Sequence, residues 1–152
     1  MKIFYIADFI LPTNRAYAIH VFKMLDGFCS HGYKSCLFIP FFDKKKLNKT
    51  LNFFDLKNKN SISVKRVFKK IVVINFIYRI FFGFKVAKEI KNFQEKNLVI
   101  TRSLIASIFL SLFKVKHFLE IHQELKGLTK YLLINMNFIN SRYIIKNIFI
   151  SK

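Results

Sequence analysis

The stretch KIFYIAD, Lys2 to Asp8, is a short continuous apolar run that ends in an acidic residue. Such a run is typical of a strand that is buried on both faces of a parallel sheet. We therefore predict a central first strand here. The next polar residues, PTN at positions 12–14, break the strand and offer a helix cap, so we predict a helix that starts near Arg15.

The predicted helix carries the sequence AYAIHVFKMLDGFCSHG, residues 16–32, with apolar side chains at three- and four-residue spacing. Gly32 suits the left-handed position that ends many helices. A second apolar run, Ser35 to Phe41, follows at once and predicts a second strand. Together these segments form a β-α-β unit, whose crossover is expected to be right-handed.

The rest of the chain continues the alternation of strand and helix. We predict a third strand within Val64 to Ile74, a helix over Phe76 to Phe93, a strand over Leu98 to Thr101, a short helix over Leu104 to Phe113, a strand over His117 to His122, a helix over Lys126 to Ile145, and a sixth strand over Asn147 to Ser151. This order predicts an α/β protein with a doubly wound, Rossmann-like parallel sheet. Between the second and third strands, the Lys- and Asn-rich residues 43–60 predict a mobile excursion with at most one helical turn.

Length and composition indicate one domain over residues 1–152, since 152 residues that are 53% hydrophobic can build one core of useful size. The last predicted strand lies at the end of this sequence, so we expect the domain to be incomplete there. Cys29 and Cys36 form no C-x-x-C pair and are predicted to be buried free thiols.

The net charge of +19 favours phosphates, nucleic acid or anionic lipid as partners. Lys far outnumbers Arg, as AT-rich coding alone would produce, whereas Arg dominates base recognition. We therefore do not expect nucleic acid as the partner. No export signal precedes the first strand, and the apolar stretch from Ile71 to Phe84 is too short to span a bilayer, so we expect a cytoplasmic protein.

Several catalytic and cofactor motifs are absent from the sequence. The loop after the first strand has no glycine, so the G-x-G-x-x-G fingerprint is missing and dinucleotide binding is disfavoured. The chain also has no P-loop and no G-x-S-x-G nucleophile elbow, which argues against a nucleotide hydrolase of that class and against a serine hydrolase.

Ligands of open parallel sheets bind beyond the carboxyl ends of the strands, so the candidate residues are those that follow each strand. Here they fall in Asp8 to Arg15, Thr101 to Ser103 and Glu120 to Gly127. Arg15 and the free N–H groups at the start of the first helix suit an anion, although a solvated arginine beside a helix cap is the alternative.

His122 ends the fifth strand and is expected to reach the ligand crevice, unless it is a structural histidine with satisfied hydrogen bonds. Glu120, His122 and Glu124 lie on alternating strand positions followed by a loop, so they predict no compact ligand set, and we expect no metal site and no resident cofactor. His20 and His31 on the first helix are predicted to be surface or cap residues.

The ordered set KIFYIAD, PTNRAYAIHVFKM, HGYKSCLFIP, LVITRS and FLEIH resembles the amino-terminal lobe of family 4 GT-B glycosyltransferases over nearly the whole chain. The resemblance implies a retaining transferase that moves a sugar from a nucleotide-sugar donor to a glycan or lipid-linked acceptor, usually without a metal. It also implies that this lobe chiefly holds the acceptor and that a second, carboxy-terminal lobe holds most of the nucleotide.

Carried over by position, the resemblance makes His122 a catalytic residue that contacts the donor sugar. It assigns the acceptor and phosphate side to the first loop, and it gives Arg102, in ITRS, a less certain role in the cleft. The residues of that loop are Pro12, Thr13, Asn14, Arg15 and Tyr17, and the remaining cleft residues are Asp8, Glu120 and Glu124. Two departures stand out, because many relatives have glycines in the first loop and an acidic residue where this chain has Gln123.

The family's paired glutamates and the basic residue that meets the donor phosphates belong to the second lobe, and no two glutamates here have the required spacing. We therefore expect the 152 residues alone to transfer no sugar. Relatives with lipid-linked acceptors dock on anionic membranes, and the candidate docking residues here are Phe53, Phe54 and the pair Phe81 and Phe82, unless that pair belongs to the core. The alternatives are a basic binding module for RNA or an anionic membrane, and a non-catalytic remnant of a transferase.

Overall fold

The computed structural model describes residues 1–69, 75–93, 97–122 and 130–149. The strands are β1 (Lys2–Ile6), β2 (Ile10–Leu11), β3 (Lys34–Ile39), β4 (Phe41–Phe42), β5 (Ile62–Arg66), β6 (Asn97–Thr101), β7 (His117–Ile121) and β8 (Ile144–Phe149). The helices are α1 (Ala16–Ser30), α2 (Lys44–Phe53), α3 (Phe76–Lys91) and α4 (Leu104–Leu112). Short helical turns cover Lys59–Ser61, Tyr131–Asn135 and Phe138–Asn140.

Six strands form one sheet in the order β5-β3-β1-β6-β7-β8, and every pairing in it is parallel. Counted along the chain, this is the order 3-2-1-4-5-6 of a doubly wound Rossmann-like sheet, with the first strand in the centre. The predicted fold class is therefore confirmed. The two short strands β2 and β4 pair with each other in a separate parallel ladder just beyond β1 and β3.

The core has two layers because successive side chains of a buried strand point to opposite faces. Ile3 and Tyr5 of β1 pack in the layer that contains the buried side of α1, including Phe22. Phe4 of β1 packs in the opposite layer with Phe82 of α3 and with α4. Helices therefore cover both faces of the sheet.

Helices α3 and α4 approach closely at Gly83. A Cβ atom built there would lie 3.0 Å from Phe109 Cδ2 and 3.1 Å from Ala106 Cα. Glycine therefore suits this close approach, since any side chain here would force α4 to shift by a few tenths of an ångström. Gly32 ends α1 with φ of 82°, as predicted, and its N–H donates to the Cys29 carbonyl.

The start of α1 differs in detail from the prediction. The N-cap residue is Arg15, and no side chain caps the helix. Thr13 Oγ1 instead accepts a hydrogen bond from the Arg15 backbone N–H at 3.3 Å, so the expected PTN cap is a turn that precedes the helix. Cys29 and Cys36 are buried free thiols, as predicted.

The Lys- and Asn-rich stretch is more ordered in secondary structure than the sequence predicts. Instead of at most one helical turn, it contains the ten-residue helix α2. Asp43 caps this helix by accepting a hydrogen bond from the Lys45 N–H at 2.9 Å. The Phe54 ring stacks on Phe22 of α1 with a centroid distance of 4.7 Å, which anchors the segment to the core.

The prediction of a long helix over residues 126–145 is wrong for residues 130–145, which the structure describes. Residues 123–129 lie outside the described residues, and the chain then makes a π-helical turn at Tyr131–Asn135. Asn137 has φ of 57°, a left-handed conformation that ends any helix, and β8 already begins at Ile144. The predicted third strand is confirmed as β5, while residues 70–74 lie outside the described residues.

Candidate functional site

The carboxyl ends of β1, β6 and β7 meet at one edge of the sheet, which we call the rim: residues 7–20, 101–103 and 120–122. Ile6 of β1 is in register with Thr101 of β6, and Thr101 is in register with Leu119 of β7. The Arg102 N–H donates to the Ile6 carbonyl at 2.9 Å, so the loop after β6 stays attached to β1. The predicted gathering of the segments that end in Asp8, Thr101 and His122 is confirmed.

A cluster of four polar side chains lies at the rim, under the start of α1. Glu120 and His122 alternate along β7 and its end, so both point to the face that α1 covers. His122 Nε2 hydrogen-bonds to Glu120 Oε1, and the Tyr5 hydroxyl donates to Glu120 Oε2. His20 of α1 adds its Nε2 at 3.5 Å from Glu120 Oε1.

The side chains of this cluster become more exposed from Glu120 through His122 to His20. The Glu120 side chain is 2% exposed and that of His122 is 14% exposed, whereas that of His20 is 47% exposed. The two imidazole rings meet edge to face with centroids 5.5 Å apart. The carboxylate is thus held inside the protein, and the histidines form the side that opens to solvent.

Electrostatics keep the Tyr5 hydroxyl protonated. Burial raises its pKa far above the ordinary value of 10.0, and the negative charge of Glu120 and the hydrogen bond to Glu120 raise it further, against a smaller lowering by Arg102. Tyr5 therefore acts as a permanent hydrogen-bond donor to the carboxylate.

Arg102 ties the first loop to the rim. Its Nη1 donates to the Tyr17 carbonyl at 3.4 Å, and its guanidinium lies 5.6 Å from the centroid of the Tyr17 ring. Tyr17 packs in turn on Phe9, with a centroid distance of 5.4 Å. Arg15, by contrast, is exposed at the start of α1 together with Pro12 and Asn14, while Thr13 is half-buried.

Asp8 follows β1 and carries a buried, unpaired carboxylate oxygen. Its Oδ1 has no hydrogen-bond partner among the described residues. Burial raises the pKa of the carboxyl, against opposing effects of the nearby Ser103 hydroxyl and the Arg79 charge. Buried acids of this kind, next to a ligand crevice, are more common at functional sites than elsewhere in proteins.

The structure corrects one expectation about the polar residues. No compact ligand set was predicted around Glu120 and His122, yet among the described residues they form one with His20, while Glu124 lies outside those residues. His20 is exposed, as predicted, and its contact with Glu120 is the feature that the sequence prediction missed. Its position in the second turn of α1 was the available signal, since the start of a helix that follows a central strand stands over the carboxyl edge of the sheet. His31, at the far end of α1, is a cap residue as predicted, with Nδ1 at 2.9 Å from the Gly27 carbonyl.

His117 begins β7, at the opposite end from the rim, and has a structural role that the sequence did not reveal. Its Nδ1 lies 2.9 Å from the Val115 carbonyl and its Nε2 lies 2.7 Å from Ser107 Oγ. Nδ1 must donate, because a carbonyl only accepts, and Nε2 can accept from the Ser107 hydroxyl, which fits a neutral imidazole. Burial lowers the pKa of His117 to about 4, although the Val115 carbonyl raises it in part.

No protein-family model, curated protein or solved structure matches this chain. Within the described ranges, no helix is long and apolar enough to cross a bilayer.

Proposed function

We propose that the chain is the acceptor-side lobe of a retaining glycosyltransferase, which moves a sugar from a nucleotide-sugar to a glycan or lipid-linked acceptor at the cytoplasmic face of a membrane. The observation that carries the proposal is the rim itself. It joins the first loop, Arg102 and His122 on one edge of a 3-2-1-4-5-6 parallel sheet, the edge at which such sheets bind ligands. These are the positions that the resemblance to family 4 GT-B enzymes assigns to the cleft.

Each rim group has a part in this proposal. Glu120 fixes the His122 ring through its hydrogen bond, so the imidazole is held in one orientation toward the donor sugar. Arg102 and the exposed Arg15 supply positive charge for the phosphate of a lipid-linked acceptor. Nucleotide contacts come from a second lobe, so the 152 residues alone bind and orient the acceptor but transfer no sugar. Turnover of any nucleotide-sugar by the purified chain would contradict this.

Acceptor binding by the rim can be measured by calorimetry with a soluble probe, farnesyl diphosphate linked to N-acetylglucosamine, below its micelle concentration. Removing a charge-assisted hydrogen bond costs about 1.5 to 3 kcal/mol, so Arg102→Ala is expected to weaken binding about tenfold or more. Lys146→Ala is the matched control, because Lys146 is an exposed cation on β8, away from the rim. Equal weakening by both variants would reduce the effect to net charge and refute a rim site.

An exposed apolar stripe on α3 supports a lipid-linked acceptor. Ile77, Phe81 and Phe84 lie on one side of the helix and are 60%, 55% and 42% exposed. The exposed cations Lys85 and Lys88 lie beside them at helical spacing. We call these five residues the α3 stripe, and their combination of apolar and positive groups suits an anionic membrane surface.

In each of the two Phe pairs predicted to contact a membrane, one ring is exposed and the other is buried. Phe81 is exposed and Phe82 is a core residue, and Phe53 is 64% exposed while Phe54 is buried. One member of each pair is thus free to contact lipid, and the two exposed rings lie on different helices.

Vesicle co-sedimentation tests the α3 stripe. We expect binding to vesicles that contain anionic lipid, a strong loss with Phe81→Ser, and little change with the matched control Phe53→Ser, since Phe53 lies on α2 outside the stripe. Equal binding to neutral vesicles would remove the electrostatic part of the proposal, and an equal loss with Phe53→Ser would remove the assignment to α3.

A second candidate function is a basic module that binds anionic membranes without any sugar chemistry. The net charge of +19 and the α3 stripe favour it. This module would bind vesicles but not the soluble acceptor probe, and substitutions at the rim would leave its membrane affinity unchanged. RNA as the ligand is less favoured because Lys far outnumbers Arg.

A further inference from the structure

We propose that His20, Glu120 and His122 form a binding site for a divalent transition-metal ion of the zinc class. The inference goes beyond sugar transfer and does not depend on it, because the family that the chain resembles usually works without a metal. It rests on three groups from two separate parts of the chain, the start of α1 and the end of β7, which converge at the rim.

The spacing of the ligand atoms fits such an ion. One ring nitrogen of each histidine and one carboxylate oxygen of Glu120 all lie within 4.8 Å of one another. With zinc bonds of 2.0 to 2.2 Å, ligands in a tetrahedral site stand about 3.3 to 3.5 Å apart. The 3.5 Å between His20 Nε2 and Glu120 Oε1 has this value, whereas His122 Nε2, which hydrogen-bonds to the same oxygen, must move back from it to admit the ion.

The ligand types also fit. Two imidazoles and one carboxylate are the protein ligands of many zinc sites in which a fourth position stays open for water or substrate. Here the open position faces solvent on the side of His20, which is 47% exposed, and this gives the ion a path into the site.

Tyr5 supplies the outer support that metal-ligating carboxylates need. Its hydroxyl occupies Glu120 Oε2, so the other oxygen, Oε1, is the one left facing both imidazoles. Hydrogen bonds of this kind fix the orientation of a metal ligand. Tyr5 is fully buried in the core, which makes this support rigid.

A bound cation would also stabilise the buried negative charge of Glu120. The Glu120 carboxylate is almost completely buried, and a buried charge requires a partner. To coordinate through Nε2, the His122 ring must carry its hydrogen on Nδ1, so a hydrogen that Nε2 donates to Glu120 moves to Nδ1 or to solvent when the ion binds. The competing arrangement is the metal-free hydrogen bond between His122 and Glu120, in which zinc does not bind.

The test is calorimetric titration of the untagged, chelator-treated chain with ZnCl2, alongside the visible absorption of the Co2+ form. We expect one ion per chain and a tetrahedral Co2+ spectrum. His20→Gln and His122→Gln should each weaken binding at least tenfold, and Tyr5→Phe should weaken it about 10- to 100-fold through the lost support. His31→Gln is the matched control, since His31 lies on the same helix as His20 but at its far end.

A measurement on the wild-type chain keeps the proposal testable if a variant does not fold. In NMR spectra of the histidine side chains, Zn2+ should shift the ring signals of His20 and His122 and leave those of His31 and His117 unchanged. No binding, a shift at His31 alone, or an equal loss of affinity with His31→Gln would overturn the site. None of these readouts involves a sugar, so this proposal and the transferase proposal can fail separately.

Discussion

Lowering the pH from 7.5 to 5 is expected to destabilise the fold through His117. The folded imidazole has a pKa of about 4 against an ordinary value of 6.5, because it is buried. The unfolded chain therefore takes up a proton first as the pH falls, and the stability that is fully present above pH 6.5 is lost progressively toward pH 4. At 1.36 kcal/mol for each tenfold difference in proton affinity, the loss is about 2 kcal/mol at pH 5 and about 3 kcal/mol once the folded imidazole is also protonated.

Urea unfolding of the wild type and of His117→Gln at pH 7.5 and pH 5 measures this effect. The variant is less stable at both values because it disturbs the contacts with Ser107 and the Val115 carbonyl, so the relevant quantity is the change with pH. We expect that change to be about 2 kcal/mol smaller in the variant than in the wild type. His31→Gln, at the exposed end of α1, is the control and should keep the wild-type change. An identical pH dependence of wild type and His117→Gln would refute the reasoning.

Three further predictions follow from the packing and the rim. Tyr5→Phe removes the hydrogen-bond donor to Oε2 of buried Glu120 and is expected to lower the free energy of unfolding by about 1 to 3 kcal/mol in urea titrations. An unchanged midpoint would contradict the contact. Gly27→Ala should raise the melting temperature, because the added Cβ meets no neighbour within 4 Å and alanine is about 1 kcal/mol more favourable than glycine in a helix. Gly83→Val should lower the melting temperature, because the larger side chain overpacks against α4 at a cost of about 1 to 3 kcal/mol. Asp8→Asn should stabilise the fold at pH 7, because the raised pKa of the Asp8 carboxyl means that its ionisation at higher pH costs folding free energy. The gain in free energy of unfolding should shrink at acid pH, where the carboxyl is protonated. A gain that does not change with pH would exclude ionisation as the cause.

The sheet could be predicted because its strands carry their own signal. The inner strands, such as β1 and β6, contain short apolar runs that need only local sequence to be recognised, whereas the edge strands β5 and β8 carry interleaved polar residues and were located less closely. Parallel pairing follows from the helices between the runs. The carboxyl ends of such strands share one edge, so the places of Asp8, Arg102 and His122 on the rim followed from the fold class alone.

The errors arose where tertiary contacts or single backbone conformations decide. Composition hid α2, whose end is held to the core by the stacking of Phe54 on Phe22, far away in the sequence. The left-handed Asn137 ended a segment whose apolar pattern still looked helical. The contact of His20 with Glu120 spans about two thirds of the chain, so it depends on where the start of α1 lies relative to the end of β7.

We propose that ligands bind this domain at the rim. Backbone amide NMR shifts, recorded while the farnesyl diphosphate-linked sugar is added, locate the binding edge. We expect the shifts to concentrate at residues 8–17, 101–103 and 120–122. Shifts at the opposite edge, around Lys2, Asn97 and His117, or no saturable shifts at all, would contradict it.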